Sequence, residues 1–126
     1  MARILIIEDT PANMKLAVLI LANAGHTVLQ AVTAKEGLAR ARDEHPDLVL
    51  MDMQLPDMDG IEATRVLKSD PATAGIPVFA VTASAMKGDR ERMLESGCDQ
   101  YIEKPIDYKQ LIAAVDTVCG PPRGQA

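Results

Sequence analysis

The sequence alternates between short apolar runs and longer segments in which apolar residues recur every three or four positions. The short runs are typical of buried strands, and the longer segments are typical of helices that pack on one face. Their alternation predicts βαβ units around a parallel sheet. We predict five strands, over residues 3–7, 27–31, 48–51, 78–81 and 100–102.

Five helices are predicted after these strands, over residues 11–23, 34–44, 61–69, 86–96 and 108–119. Their ends coincide with residues that stop helices: Gly25, Pro46, Gly97 and the run Gly120-Pro121-Pro122. The prediction is an α/β fold with one doubly wound (βα)5 domain of the flavodoxin-like type. Its parallel five-stranded sheet would have the order 2-1-3-4-5.

The length of 126 residues, with 48% hydrophobic and 25% charged residues, is typical of one globular domain. We expect the domain over residues 1–119, followed by a short flexible tail, 120–126, too short for an output domain. No apolar run is long enough to span a membrane and no signal-peptide pattern is present, so we expect a cytoplasmic protein.

The net charge of -5 and the scattered distribution of the 13 Lys and Arg residues argue against a nucleic-acid partner. Cys98 and Cys119 lie 21 residues apart without a CxxC arrangement, so two reduced thiols explain them better than a disulfide or a zinc site. His26 and His45 have no carboxylate or cysteine at ligand spacing. We therefore predict that both histidines are surface imidazoles.

Chemically active side chains follow four of the five predicted strands. The carboxyl ends of parallel strands form the edge where α/β sheets bind ligands. Asp9 and Asp52 would face a common crevice there if the first and third strands are neighbours. The residues at these strand ends are Glu8 and Asp9 after the first strand, Asp52 after the third, Thr82 after the fourth and Lys104 after the fifth.

Carboxylates that converge on one crevice repel one another unless a cation is present, and oxygen ligands suit Mg²⁺. Lys104 offers a point charge for a phosphate oxygen, and the Thr82 hydroxyl and the Ala83 amide offer hydrogen bonds. Taken alone, Asp52 or Thr82 would be better explained as a helix cap, and Lys104 as a solvated surface lysine. Their joint position at strand ends favours phosphoryl transfer.

Four segments in order resemble the CheY-like response-regulator receiver family: IIED, LVLMDMQLPDMDG, FAVTAS and YIEKPID. The resemblance covers residues 3–119. Three further segments, at 13–15, 85–89 and 97–98, are similar to stand-alone DivK-type members of the family. The resemblance implies a two-component phosphorelay, in which a histidine kinase or a phosphotransfer protein phosphorylates Asp52.

The resemblance also implies a role for each matching residue. Glu8, Asp9, Asp52 and the Gln54 carbonyl would hold Mg²⁺, or Mn²⁺ in its place, with Glu8 acting mainly through metal-bound water. Thr82, Ala83 and Lys104 would contact the phosphoryl group, and the peptide bond between Lys104 and Pro105 would be cis. Gln54 and Ser84 would tune the lifetime of the phosphoryl group.

In such a family member, Thr82 and Tyr101 would switch together on phosphorylation and change the face formed by the fourth helix, fifth strand and fifth helix. That face would bind a downstream protein target. The protein would be a monomer or weak dimer, without a membrane partner. The only chemistry implied is self-phosphorylation and self-dephosphorylation, so we do not expect an enzyme.

Two alternative functions remain. A Mg²⁺-dependent phosphohydrolase could use Asp52 as its nucleophile, but it usually needs a second aspartate where this chain has Gln54, and it usually has a cap. A phosphorylation-independent adaptor would predict a broken pocket, whereas the principal pocket positions are intact. A flavodoxin-like cofactor carrier is disfavoured, since Glu8 and Asp9 would repel an anion where a phosphate loop is needed.

Overall fold

Five strands and five helices alternate along the chain in the computed structural model, which describes residues 2–83 and 87–119. The strands are β1 (Arg3–Ile7), β2 (Thr27–Ala31), β3 (Leu48–Asp52), β4 (Val78–Thr82) and β5 (Gln100–Glu103). The helices are α1 (Pro11–Asn23), α2 (Ala34–Glu44), α3 (Gly60–Ser69), α4 (Lys87–Glu95) and α5 (Tyr108–Cys119). The predicted alternation is confirmed.

The five strands form one parallel sheet in the order β2-β1-β3-β4-β5, as predicted. Apolar side chains of the sheet build one core cluster with α1 and α5 on one face and a second with α2, α3 and α4 on the other. The chain therefore changes its winding direction between β1 and β3. β3 and β4 are buried along their whole length, because helices cover both of their faces.

The ends of the helices follow local sequence signals. Thr33 caps α2, with its Oγ1 accepting a hydrogen bond from the Glu36 N–H at 3.1 Å. His45 ends the same helix in the left-handed conformation, with φ 48°, directly before Pro46. Asp59 caps α3 through the Ile61 N–H at 2.9 Å. The predicted start of the fourth helix at Met86 lies outside the described residues.

Three of the strands extend one residue beyond their predicted ends. β3 ends at Asp52, β4 ends at Thr82 and β5 ends at Glu103. The predicted strands ended too early because each prediction stopped before a polar residue. An apolar pattern carries no information on backbone pairing. Asp52 pairs with Val81 in the ladder between β3 and β4. Asp52 and Thr82 are consequently the last residues of strands in the sheet and do not belong to the loops that follow.

The prediction for His26 is wrong, whereas His45 is exposed as expected. Only 7% of the surface of His26 is accessible, and its Nδ1 accepts a hydrogen bond from the Ala2 N–H at 3.3 Å. Burial lowers the pKa of His26, and the carboxylate of Asp116 partly opposes this effect. Its position beside the start of β1 therefore gives His26 a structural role.

Cys98 is a free, buried thiol, as predicted, and burial raises its pKa. The side chain of Cys119 and the predicted tail, 120–126, lie outside the described residues. Within residues 2–83 and 87–119, no helix has the length and apolar character needed to cross a membrane.

Candidate functional site

The carboxyl edge of the sheet brings together the residues that were predicted to act there. Glu8 and Asp9 follow β1, Asp52 and Thr82 end β3 and β4, and Lys104 follows β5. Asp52 is 2% exposed and Glu8 is 4% exposed, whereas Asp9 is open to solvent. The site therefore combines two buried carboxylates with one that a solvent ion can reach directly.

Lys104 provides the positive charge of this edge. Its Nζ lies 3.3 Å from Asp52 Oδ1 and 3.5 Å from Glu8 Oε1, and its side chain is 17% exposed. The second oxygen of Glu8 accepts a hydrogen bond from the Thr10 N–H at 3.1 Å. The ammonium thus bridges two carboxylates that would otherwise face each other without compensation.

Glu8, Asp9 and Asp52 can each offer one oxygen such that the three atoms lie within 4.8 Å of one another. Burial raises the pKa of Asp52, and the neighbouring Glu8 adds to that effect. The Gln54 N–H and Lys104 act in the opposite direction. The cluster holds more negative charge than Lys104 compensates, so its donor set fits a hard divalent cation.

The loop from β3 to α3 begins directly after Asp52 and is closed by backbone contacts. The Gln54 N–H donates to Asp52 Oδ1 at 3.0 Å, and Gln54 forms an isolated antiparallel bridge with Asp59. The Gly60 N–H donates to the Met53 carbonyl at 3.1 Å. This compact loop keeps the main chain of Gln54 next to the phosphoacceptor candidate, as its predicted role requires.

The backbone also joins the ends of β4 and β5. The Lys104 N–H donates to the Thr82 carbonyl at 2.7 Å, and the peptide bond between Lys104 and Pro105 is cis. Ala83 follows Thr82 and is exposed. Thr82 and Ala83 therefore lie beside the lysine, while Ser84 lies outside the described residues.

Tyr101, the predicted switch residue, lies on β5 opposite Ala80 of β4. It is partly buried against the core that the sheet shares with α2, α3 and α4. The guanidinium of Arg90 lies over its ring, 5.7 Å from the centroid.

A cleft of about 160 Å³ separates α4 from the loop between β3 and α3, with Thr82 in its lining. Thr82 at the end of β4 thus lines a cleft that α4 also lines.

Three residues at this edge were missed by the sequence analysis. Asn13 of α1 lines a small cavity together with Glu8 and Asp52. Arg90 contacts Tyr101, and Asp57 bonds to the start of α2. Asn13 could have been found from its place in the first turn after Asp9, whereas no local signal pairs Arg90 or Asp57 with its distant partner.

Residues 4–116 match the response regulator receiver domain family, and the chain belongs to this family. It is 44% identical over 117 residues to the polar-differentiation response regulator DivK of Brucella ovis, an alignment that covers 93% of this chain and 95% of that protein. The predicted resemblance to DivK-type receivers is therefore confirmed. The family places the chain in two-component signalling.

Solved structures agree with this assignment. The receiver domain of the sensor histidine kinase PA1611 of Pseudomonas aeruginosa has a TM-score of 0.88 and 31% identity, covering 94% of this chain and 98% of that one. That structure has a magnesium ion coordinated in its active-site cleft. Vibrio cholerae CheY4 shares the fold with a TM-score of 0.89 at 22% identity, covering 94% of this chain and 98% of that one.

Proposed function

We propose that this protein is a single-domain response regulator of a two-component phosphorelay, phosphorylated on Asp52 in the presence of Mg²⁺. The observation that carries the proposal is the buried Asp52 carboxylate, which contacts Lys104 and lies in a three-carboxylate cluster. The group that attacks phosphorus and the groups that balance its charge are thus in one place. The PA1611 receiver, with its magnesium ion, supports the metal assignment.

In the proposed reaction, a carboxylate oxygen of Asp52 forms a bond to phosphorus while the P–N bond of a donor phosphohistidine breaks. The electron pair of that bond stays with the imidazole. Glu8, Asp9, Asp52 and the Gln54 carbonyl would hold Mg²⁺ or Mn²⁺, and the ion would supply positive charge to balance the negative charge of the transferred group. Lys104, the Thr82 hydroxyl and the Ala83 amide would contact the phosphoryl oxygens.

The signal would pass from Thr82 and Tyr101 to the face formed by α4, β5 and α5. The contact between the Thr82 carbonyl and the Lys104 N–H, and the position of Tyr101 beside α4, support this route. Helix α4 of this face exposes the apolar side chain of Leu94, which is 49% accessible. An exposed apolar side chain of this kind suits a protein target.

We infer a domain over residues 1–119 with the tail 120–126 attached, acting in the cytoplasm as a monomer or weak dimer. Its donor would be a histidine kinase or a phosphotransfer protein. The proposed chemistry is limited to self-phosphorylation and self-dephosphorylation. A phosphohydrolase is less well supported, because Gln54 stands where a second aspartate would be needed.

The test is incubation of the purified protein with acetyl phosphate, with and without Mg²⁺, followed by intact mass measurement and peptide mapping. We expect a Mg²⁺-dependent gain of one phosphoryl group on Asp52. Asp52→Asn should abolish this gain and leave the fold intact. Asp43→Asn, which removes an exposed carboxylate of α2, is the matched control and should be labelled like the wild type.

The other outcomes separate the alternatives. Full labelling of Asp52→Asn would contradict the assignment of the phosphoacceptor. Rapid Mg²⁺-dependent phosphate release at catalytic turnover would favour a phosphohydrolase. If neither an adduct nor turnover is seen, with acetyl phosphate and with a panel of kinases, the result would favour the phosphorylation-independent adaptor.

A further inference from the structure

Asp57 lies in the loop from β3 to α3, and its carboxylate bonds to the beginning of another helix. Oδ1 accepts a hydrogen bond from the Ala34 N–H at 2.9 Å, and Oδ2 accepts one from the Lys35 N–H at 3.0 Å. Ala34 and Lys35 are the first two residues of α2. The loop that follows Asp52 is therefore attached to α2 by both oxygens of one exposed carboxylate.

These two bonds satisfy backbone donors that helix geometry leaves free. The first four N–H groups of an α-helix have no partner within the helix. In α2, Thr33 accepts from the Glu36 N–H, and Asp57 accepts from the two N–H groups before it. The same bonds hold the Asp57 pKa below its ordinary value, the Lys35 N–H having the largest effect. Asp57 thus remains a charged acceptor at neutral pH.

The attachment acts on a loop whose base is already closed. Gln54 is bridged to Asp59, and the Gly60 N–H bonds to the Met53 carbonyl. Asp57 falls between the two bridged residues, at the far side of the loop. The main chain at Gln54 is therefore held from the base by β3 and from the tip by α2, which leaves the loop little freedom to rearrange.

We propose that Asp57 is a positioning residue for the metal site, which acts by tying the loop that carries Gln54 to the N-terminus of α2. This inference rests on the proposed function, in which the Gln54 carbonyl completes the metal ligand set. A loop that is already ordered loses less conformational entropy when a cation binds. Loss of the tie should therefore weaken Mg²⁺ binding without removing a ligand.

The test is calorimetric titration of the unphosphorylated full-length protein with Mg²⁺ alone. We expect Asp57→Ala to raise the Mg²⁺ dissociation constant by about tenfold, the lower end of the effect of removing a residue that orients a metal ligand. Asp57→Asn should have an intermediate effect, because its single carbonyl oxygen can accept only one of the two bonds. Both variants should keep the far-ultraviolet circular dichroism of the wild type.

Thr33→Ala is the matched control, because it removes a cap from the same helix without touching the loop. We expect it to lower the free energy of unfolding by about 1 kcal/mol and to leave the Mg²⁺ dissociation constant unchanged. An equal weakening of Mg²⁺ binding by Thr33→Ala would overturn the proposal, since helix stability alone would then explain the effect. An unchanged dissociation constant in Asp57→Ala would also overturn it.

Titration at a second ionic strength separates positioning from charge. If Asp57 acted only through its negative charge, the effect of Asp57→Ala would fade at high salt, and that result would contradict the proposal. A tenfold effect that persists at high salt would support it. Failure of the wild type to bind Mg²⁺ would instead remove the proposed metal site at Asp52, so that failure is distinguishable from failure of the role of Asp57.

Discussion

The ammonium of Lys104 lies 3.3 Å from the Oδ1 of Asp52. Glu8 gives the same ammonium a second carboxylate, at 3.5 Å. Removing the charge of Asp52 therefore leaves Lys104 paired. This relationship makes Asp52→Asn a relief of crowded negative charge, in contrast to the usual effect of breaking a buried ion pair.

We predict that Asp52→Asn stabilises the metal-free protein at neutral pH by about 1 kcal/mol. Burial and the neighbouring Glu8 raise the pKa of Asp52, so the folded state binds its proton more tightly than the unfolded state does. The stabilisation from that proton is complete below the unfolded pKa and is lost as the pH rises through the raised folded pKa. The advantage of Asp52→Asn should therefore grow with pH.

Urea unfolding of both proteins from pH 5 to pH 8 without divalent ions checks this prediction. Added Mg²⁺ should stabilise the wild type more than Asp52→Asn, because the variant lacks one of the clustered carboxylates. A variant less stable than the wild type at pH 8 without metal would show that Asp52 contributes favourably to the fold.

We predict that Tyr101→Ala weakens the conformational response to phosphorylation more than the uptake of the phosphoryl group. Tyr101 lies against α4 and Arg90 and away from the acidic cluster, so its loss should leave the reacting groups in place. Labelling by acetyl phosphate measures uptake, and amide chemical shifts in α4 and α5 measure the response.

Tyr108→Ala is the control for Tyr101→Ala, because Tyr108 is an exposed tyrosine on α5. It should change neither the labelling rate nor the amide shifts remote from its own site. A proportional loss of labelling and response in Tyr101→Ala would argue against a switch role for Tyr101.

His26 should make the stability of the fold depend on pH. Its pKa is lowered by burial, so the unfolded state binds the proton more tightly. The stabilisation is therefore complete above the ordinary pKa of 6.5 and is lost as the pH falls from there through the lowered folded pKa. Between pH 7 and pH 5, we expect the free energy of unfolding of His26→Asn to fall by about 1 kcal/mol less than that of the wild type.

Urea unfolding at the two pH values measures this difference, with His45→Asn as the control because His45 is exposed. His45→Asn should follow the wild type at both values. If His26→Asn also follows the wild type, then the protonated imidazole is accommodated in the fold and its burial carries no cost.

Gly60 should be intolerant of a side chain. A Cβ at this position would lie 2.5 Å from the Met53 Cα and 2.8 Å from the Asp52 carbonyl oxygen, and both of these atoms belong to the backbone. We expect Gly60→Ala to lower the free energy of unfolding by about 2 kcal/mol and to slow labelling of Asp52. Thermal unfolding and the acetyl phosphate assay measure these effects.

Gly88→Ala is the control, because a Cβ at Gly88 meets no atom within 4 Å. It should leave the stability unchanged or raise it by about 0.5 kcal/mol. Equal stability of the two variants would show that the loop after β3 can move aside to admit a methyl group.

The sequence predicted the sheet well because its strands are continuously apolar and its helices end at clear signals such as Gly25 and Pro46. Because parallel strands end at the same edge of a sheet, the sequence also predicted that Glu8, Asp9, Asp52 and Lys104 lie together at that edge. Both predictions rest on local patterns and on the geometry of parallel sheets, which need no knowledge of individual contacts.

The remaining features depend on contacts between distant segments. His26 is buried and its ring accepts a hydrogen bond from the Ala2 N–H, and Asp57 is bonded to a helix that begins 23 residues earlier. Nothing in the neighbouring sequence of either residue indicates such a partner. That Lys104 bridges two carboxylates likewise can be seen only from the side-chain positions, since the sequence predicts only that Lys104 lies at this edge of the sheet.

The position of β5 at the edge of the sheet determines when the acidic cluster acquires its counter-charge. Among the strands of the described residues, β5 pairs with β4 alone, and Lys104 follows β5. A nascent chain therefore completes Glu8, Asp9 and Asp52 long before the lysine is synthesised. Docking of this edge strand brings the ammonium of Lys104 to the acidic edge, where it compensates part of the negative charge of the cluster. Completion of the sheet and arrival of the lysine counter-charge at Asp52 thus belong to the same step of assembly.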